Sequence, residues 1–134
     1  MKGELRIQVA SRGEQAAQVE LEGSVDGHTF DRLSRAVDQL VEAGTIWLGV
    51  DLAKMDYVAS VGLNLLVNAR VSRRNAGGEM ILVRPQPQVM KILKMLGLTE
   101  ILNLASTPEE AWARLRPGRP SAAPLGEDGV PLIQ

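Results

Sequence analysis

Residues 55–67 read MDYVASVGLNLLV. Just upstream, residues 46–52 (IWLGVDL) are apolar almost without interruption, the pattern of a strand buried on both faces. Downstream, the spacing predicts a helix that runs to about Asn75, where AGG (76–78) stops it. A buried strand feeding a helix is the repeating unit of a parallel sheet, so this junction decides the fold class. Ser60 stands at the junction. Serine is a preferred N-cap residue because its oxygen accepts a bond from a free amide of the first helical turn, so Ser60 is expected to cap the helix. Gly62 is the less expected residue. In a helix interior it costs about 1 kcal/mol relative to alanine, and its bare backbone admits a close neighbour or a protein partner.

Reading outward, Leu5, Ile7 and Val9 alternate along residues 4–10, and Ala17, Val19 and Leu21 repeat the pattern over 17–22. These are half-buried strands joined by a turn near Gly13. Phe30, Leu33, Val37, Leu40 and Val41 recur at helical spacing. Thr29 is placed to cap that helix and Gly44 to end it. EMILV (79–83) reads as a further strand. After Pro85 and Pro87 break the chain, residues 89–98 read as a short helix and 101–104 as an edge strand. Pro108 opens a last helix with Trp112 and Leu115 turned inward. The order β-β-α-β-α-β-α-β-α implies an α/β fold with a mixed central sheet of about four to five strands. From residue 117 onward, PGRPSAAPLGEDGVPLIQ is rich in proline and glycine and reads as a disordered tail, leaving one domain over 1–116.

Composition excludes several classes of function. The 134 residues contain no cysteine and one histidine, His28, so disulfides, thiolate zinc sites and multi-histidine metal sites are excluded. Fifteen basic residues against sixteen acidic ones give a net charge of −1, with no electrostatic footprint for nucleic acid. No apolar run approaches the roughly 20 residues that span a bilayer. The opening MKGELRIQVASRGEQ lacks the apolar core of a signal peptide, so a cytoplasmic protein without membrane insertion is expected.

The chemistry-bearing residues have ordinary roles available. A serine nucleophile needs a base, and His28 is two residues from Asp26 in turn-like sequence. No glycine-rich phosphate cradle is present, so no nucleotide cofactor is indicated. Arg70, Arg73 and Arg74 read as the solvated face of the helix after Ser60. Asp51, Asp56, Glu109 and Glu110 read as charges at loop ends and helix starts. One sharper property stands beside these. A phosphoryl group on a serine at a helix N-terminus is stabilised by the dipole and the free amides. Residues 61–67 are apolar on almost every side, as an interaction face or a buried helix requires.

Three segments resemble the STAS domain of anti-sigma factor antagonists, in order and at similar spacing. LEGSVDGHTFDRL (21–33) is similar to that family's "G-x-[LV]-D…T…L". VDLAKMDYVASVGLNLL (50–66) is similar to "[ND]L…[DS]-S-[ST]-G-[LI]". GGEMILVRPQPQVMKILKMLGLTEIL (77–102) is similar to "GG-x-[LM]-x-[LV]…V-x-x-[LI]-[LF]-x-x-x-G-L…[IL]". The resemblance implies the STAS fold, with helices packed mainly on one side of the sheet, and a switch protein rather than an enzyme. Its partner would be an anti-sigma factor that is also a serine protein kinase of the histidine-kinase-like ATPase class, with a serine phosphatase resetting the switch. By position Ser60 matches the phosphorylated residue, Gly62 and Leu63 the Gly-Leu after it, Asp26 the acidic residue of the first loop, and Asp51 the residue ending the central strand. The implied partner face comprises Asp26, Ala59, Ser60, Val61, Gly62, Leu63 and Leu66. Two positions depart from the family. Ala59 replaces the usual Asp and Val61 the usual Ser or Thr. They favour an alternative, a non-phosphorylated STAS scaffold subunit of a signalling or lipid-transport complex.

Overall fold

The computed structural model describes residues 4–115; the tail expected over 117–134 lies outside them. Nine elements follow in chain order: β1 (Leu5–Gly13), β2 (Ala16–Val25), α1 (Phe30–Glu42), β3 (Trp47–Val58), α2 (Ser60–Asn75), β4 (Glu79–Val83), α3 (Pro87–Met95), β5 (Leu104–Ala105) and α4 (Pro108–Leu115). One sheet holds all five strands in sequential order. β1 and β2 form an antiparallel hairpin, and the three remaining pairings are parallel. The expected mixed α/β architecture is the one observed.

The period of the strands sorts their side chains between two layers. Leu48, Val50 and Leu52 of β3, with Val19 and Leu21 of β2 and Met80 and Leu82 of β4, pack against Leu33, Leu63, Leu66, Val89 and Leu93 of α1, α2 and α3. Trp47, Ile81 and Val83 face the other way and are covered by Ala111 and Leu115 of α4. Three helices therefore cover one face and α4 covers part of the other. Trp112 closes that second layer by lying against Gly49 and donating from Nε1 to Gln18 Oε1 at 2.8 Å.

Several local readings are corrected. β3 does not stop at Leu52 but continues to Val58, because its pairing with β2 runs on from Glu22–Lys54 to Val25–Val58, with Lys54 and Asp56 exposed and Met55 and Val58 buried. Asp51 is thus inside the strand, 2 % exposed, and not at a loop end. Val9 is half exposed, since β1 is an edge strand that the helical layer does not reach along its whole length. The edge strand expected over 101–104 is only Leu104–Ala105. Pro87 does not merely break the chain. It occupies the first turn of α3, where its missing N–H costs nothing.

The largest correction concerns the arginines of α2, which are not a solvated face. Arg73 and Arg74 are each 5 % exposed. Glu79, at the start of β4, accepts from Arg70 Nε at 2.8 Å and from Arg74 Nη1 at 3.1 Å, and its Oε1 also accepts from the Met80 amide at 2.9 Å. Arg73 and Arg70 donate to the carbonyls of Thr45 and Ile101. Gly78 lets this end of the helix close on the sheet, for a Cβ there would lie 1.9 Å from the Ile46 carbonyl oxygen.

Removing one partner of a buried ion pair leaves charge without compensation. Glu79→Ala strands two guanidinium groups together, so it is expected to lower unfolding free energy by about 3–5 kcal/mol in urea titrations. A loss below about 1 kcal/mol, the range of exposed pairs, is the result that contradicts this account.

Candidate functional site

The site lies at the carboxyl ends of the parallel strands, where successive βα loops gather. β2 and β3 end in register, with Val25 opposite Val58. The Ala59 amide then donates to the Val25 carbonyl at 2.8 Å, which brings the loop after β2 beside the start of α2. Asp26 and Ser60, 34 positions apart in sequence, become neighbours by this pairing.

Asp26 organises the first loop. Its Oδ1 accepts from the backbone amides of His28 and Thr29, at 2.8 and 3.1 Å. That is the turn chemistry expected of this pair. Thr29 does not cap α1 with its side chain. It is 2 % exposed, and its hydroxyl donates to the Ser24 carbonyl at 2.8 Å and accepts from the Asp26 amide at 3.0 Å. The threonine ties the loop back to β2, and Asp26 satisfies the amides ahead of the helix.

The second loop contains one residue. Ala59 is extended, at φ −81° and ψ 168°, and its carbonyl accepts from the amides of Gly62 and Leu63 at 2.9 and 3.1 Å. Ala59 is therefore the N-cap and Ser60 the first helical residue, a correction to the expected capping role. The cause is the extra length of β3, which carries the extended backbone one residue past Val58. No side-chain oxygen caps α2. Ser60 is exposed, and Val61 beside it is 44 % exposed. Helix geometry leaves the amides of the first residues without an intrahelical acceptor, and the dipole adds positive potential there.

Gly62 explains how close this turn lies to the sheet. A Cβ at Gly62 would stand 2.6 Å from Val25 Cγ1 and 2.9 Å from Val58 Cγ2. Leu63 and Leu66, named from sequence as part of the partner face, are core side chains, 4 % and 3 % exposed. The accessible part of the predicted set is Asp26, Ala59, Ser60 and Val61. Asn64, outside the predicted set, joins them as an exposed residue one turn beyond Ser60.

Asp51 takes no part in this surface. It points to the α4 side, in register with Val83, and binds Arg84 through two bonds, Nε to Oδ1 at 3.1 Å and Nη2 to Oδ2 at 2.9 Å. Asp51 raises the Arg84 pKa above its ordinary value through these hydrogen bonds and its charge. Arg84 has φ +42°, and Gln86 Nε2 donates to the Ala53 carbonyl at 2.7 Å. The two side chains bind the βα loop after β4 to β3 where the β3–β4 ladder ends. No local pattern announces a pair 33 residues apart, so this clamp was not legible in sequence.

Ser60 is not the cap, so Ser60→Ala is expected to change stability by no more than about 0.5 kcal/mol, the range of an ordinary surface substitution. Ala59→Asp supplies the capping oxygen and should raise stability by about 1 kcal/mol. Thermal melts of both variants check this. A large loss in Ser60→Ala with no gain in Ala59→Asp would return the capping role to Ser60.

Among curated relatives, an anti-sigma-B factor antagonist of Listeria monocytogenes is 23 % identical over 106 residues, which cover 79 % of this chain and 93 % of the relative. Two solved structures of similar fold are the anti-sigma factor antagonist SpoIIAA in its unphosphorylated form and the Bacillus cell fate determinant SpoIIAA in the phosphorylated form. The first has TM-score 0.71 and 21 % identity over 83 % of this chain and 96 % of that one. The second has TM-score 0.64 and 20 % identity over 83 % and 100 %. The STAS domain family matches residues 8–111, from within β1 to within α4, and the chain belongs to that family.

Proposed function

We propose that this chain is an anti-sigma factor antagonist whose partner face is the surface around Asp26, Ala59, Ser60, Val61 and Asn64. The partner is an anti-sigma factor with serine kinase activity, and phosphorylation of Ser60 ends the complex. The observation that carries this reading is the exposed Ser60 in the first turn of α2, beside half-exposed Val61 and the Asp26 loop. The names of the relatives agree with the role, and one structural neighbour is described in both phosphorylation states.

The physics of the site favours a switch of binding over a switch of fold. A phosphoserine carries about −1.5 to −2 charges. At a helix N-terminus that charge is favourable, so the domain stays folded. The same charge on a surface that a partner must desolvate opposes association. A serine phosphatase would restore the neutral hydroxyl. Ala59 and Val61 bear on the second reading, a STAS scaffold that is never phosphorylated, since they remove a carboxylate and a hydroxyl from beside Ser60.

Incubation with ATP and a serine-kinase anti-sigma factor from the same genome, followed by mass spectrometry, separates the two readings. Phosphate is expected on Ser60 alone. Ser60→Asp is expected to melt near the wild type yet bind the kinase at least about tenfold more weakly, while Ser60→Ala binds normally. An unmodified Ser60, with both variants binding as the wild type does, supports the scaffold.

A further inference from the structure

The two edges of the sheet differ. β5 is two residues long, whereas β1 runs for nine, Leu5–Gly13. Exposed edges are normally blunted by short length, lysine, proline or a bulge, because their unpaired amides and carbonyls invite another strand. From Leu5 to Ser11 β1 holds no lysine and no proline, and its one register shift falls between Ser11 and Gly13.

The ladder with β2 fixes which groups of β1 are free. The Ser24 amide donates to the Glu4 carbonyl at 2.8 Å. Bonded pairs alternate in an antiparallel ladder, so they continue at Arg6–Glu22, Gln8–Glu20 and Ala10–Gln18. The amides and carbonyls of Ile7, Val9 and Ser11 therefore point away from the sheet. Those of Leu5 point the same way, and its carbonyl accepts from Arg32 of α1, which closes the edge at that end. Val9 is 51 % exposed, although its partner in register, Val19, is buried.

The edge sequence ELRIQVASR (4–12) complements itself when reversed about Gln8. Ile7 then stands opposite Val9 of a second copy. The free amides and carbonyls of these residues make four bonds across the two-fold axis. Opposite residues share a face, so Ile7 and Val9 of both copies meet on the helical side. On the other side Glu4 stands opposite Arg12 twice, and Arg6 stands opposite Ala10. The two Arg6 are then about 14 Å apart along the strands, at 3.4 Å per residue. Reversal about Val9 sets Arg6 against Arg12 twice, and like charges directly opposite are destabilising. Reversal about Ile7 calls on the Leu5 carbonyl that Arg32 holds.

We propose that β1 pairs antiparallel with β1 of a second copy, centred on Gln8, joining two five-stranded sheets into one. Such a ladder is a small interface, so the dimer is concentration-dependent. The antiparallel junction points the two Ser60 surfaces to opposite ends of the joined sheet, where both stay open to partners. The proposal stands apart from the phosphorylation of Ser60, because it is read on the isolated chain.

Sedimentation of the full chain from about 10 μM to about 1 mM is expected to show the mass rising from one chain toward two. Val9→Pro removes an amide that faces away from β2, so the fold keeps its own ladder while the dimer loses two of its four central bonds. Val9→Lys places a charge on the exposed edge. Both variants are expected to stay monomeric with unchanged circular dichroism. Register is read by cross-linking, since the natural chain has no cysteine. Gln8→Cys puts its Cα about 4.5 Å from its counterpart, within disulfide reach. Ser11 is also exposed, but two cysteines there would be about 20 Å apart. Gln8→Cys is therefore expected to cross-link at least about tenfold faster than Ser11→Cys under mild oxidation. A chain that stays monomeric throughout overturns the proposal and leaves the edge to a different strand. So does equal cross-linking at the two positions, or a Val9→Pro variant that associates as the wild type does.

Discussion

The first turn of α2 rests directly on Val25 and Val58, the last paired residues of β2 and β3, and nearly everything at the site depends on that contact. Only glycine fits at position 62, because any Cβ falls inside the contact distance of both valines. Overpacking of this kind typically costs about 1–3 kcal/mol. The contact fixes the height of the helix above the sheet. That height decides which residues reach solvent. Leu63 and Leu66 are carried inward to the core, while Ser60, Val61 and Asn64 are left outside. The same register sets the loop of Asp26 against the helix start through the Ala59–Val25 hydrogen bond. Site and core are therefore two faces of one turn.

The far end of α2 is held by different physics. There the helix is fixed by charge, through Glu79 between Arg70 and Arg74, and by arginine bonds to the carbonyls of Thr45 and Ile101. Such contacts are strongly directional, and breaking them is costly because the charges are buried. A helix held by close packing at one end and by ion pairs at the other has little freedom to tilt. For a surface that must be matched by a partner, this rigidity removes part of the ordering cost of binding.

The sequence made the order of elements legible because each depends on local periodicity and turn residues. EMILV is β4 from Glu79 to Val83, and the helix after Ser60 ends at Asn75 as its pattern indicates. What it concealed depends on long-range pairing. Arginines at helical spacing look solvated until Glu79 of the next strand and two carbonyls of other loops are brought against them. Asp51 looks like a strand terminus until Arg84 is placed beside it. The cap was misread for a related reason. A serine before a helical pattern satisfies the local rule for an N-cap, but the length of β3 is set by pairing with β2, and that pairing moves the boundary by one residue. At the site, the positions of Ser60 and Asp26 were legible, but the inward turn of Leu63 and Leu66 was not, since residues 61–67 are apolar on almost every side.

Ala59 gives the site its particular electrostatics. An aspartate at the N-cap would occupy the free amides of the first turn with its own carboxylate, and would also place a negative charge next to Ser60. With alanine there, no side chain of the cap residue competes for those amides, and no carboxylate at that position repels an incoming anion. The helix start is a poorer cap and a better acceptor of an external negative group, whether a phosphate on Ser60 or a partner's carboxylate. Val61 acts in the same direction on the apolar side. It exposes a branched hydrocarbon where a hydroxyl would keep water, so bringing a partner onto this surface releases more of it. Ala59 thus gives up a little stability of the free domain, and both departures from the family pattern make the surface more responsive to what is placed on it.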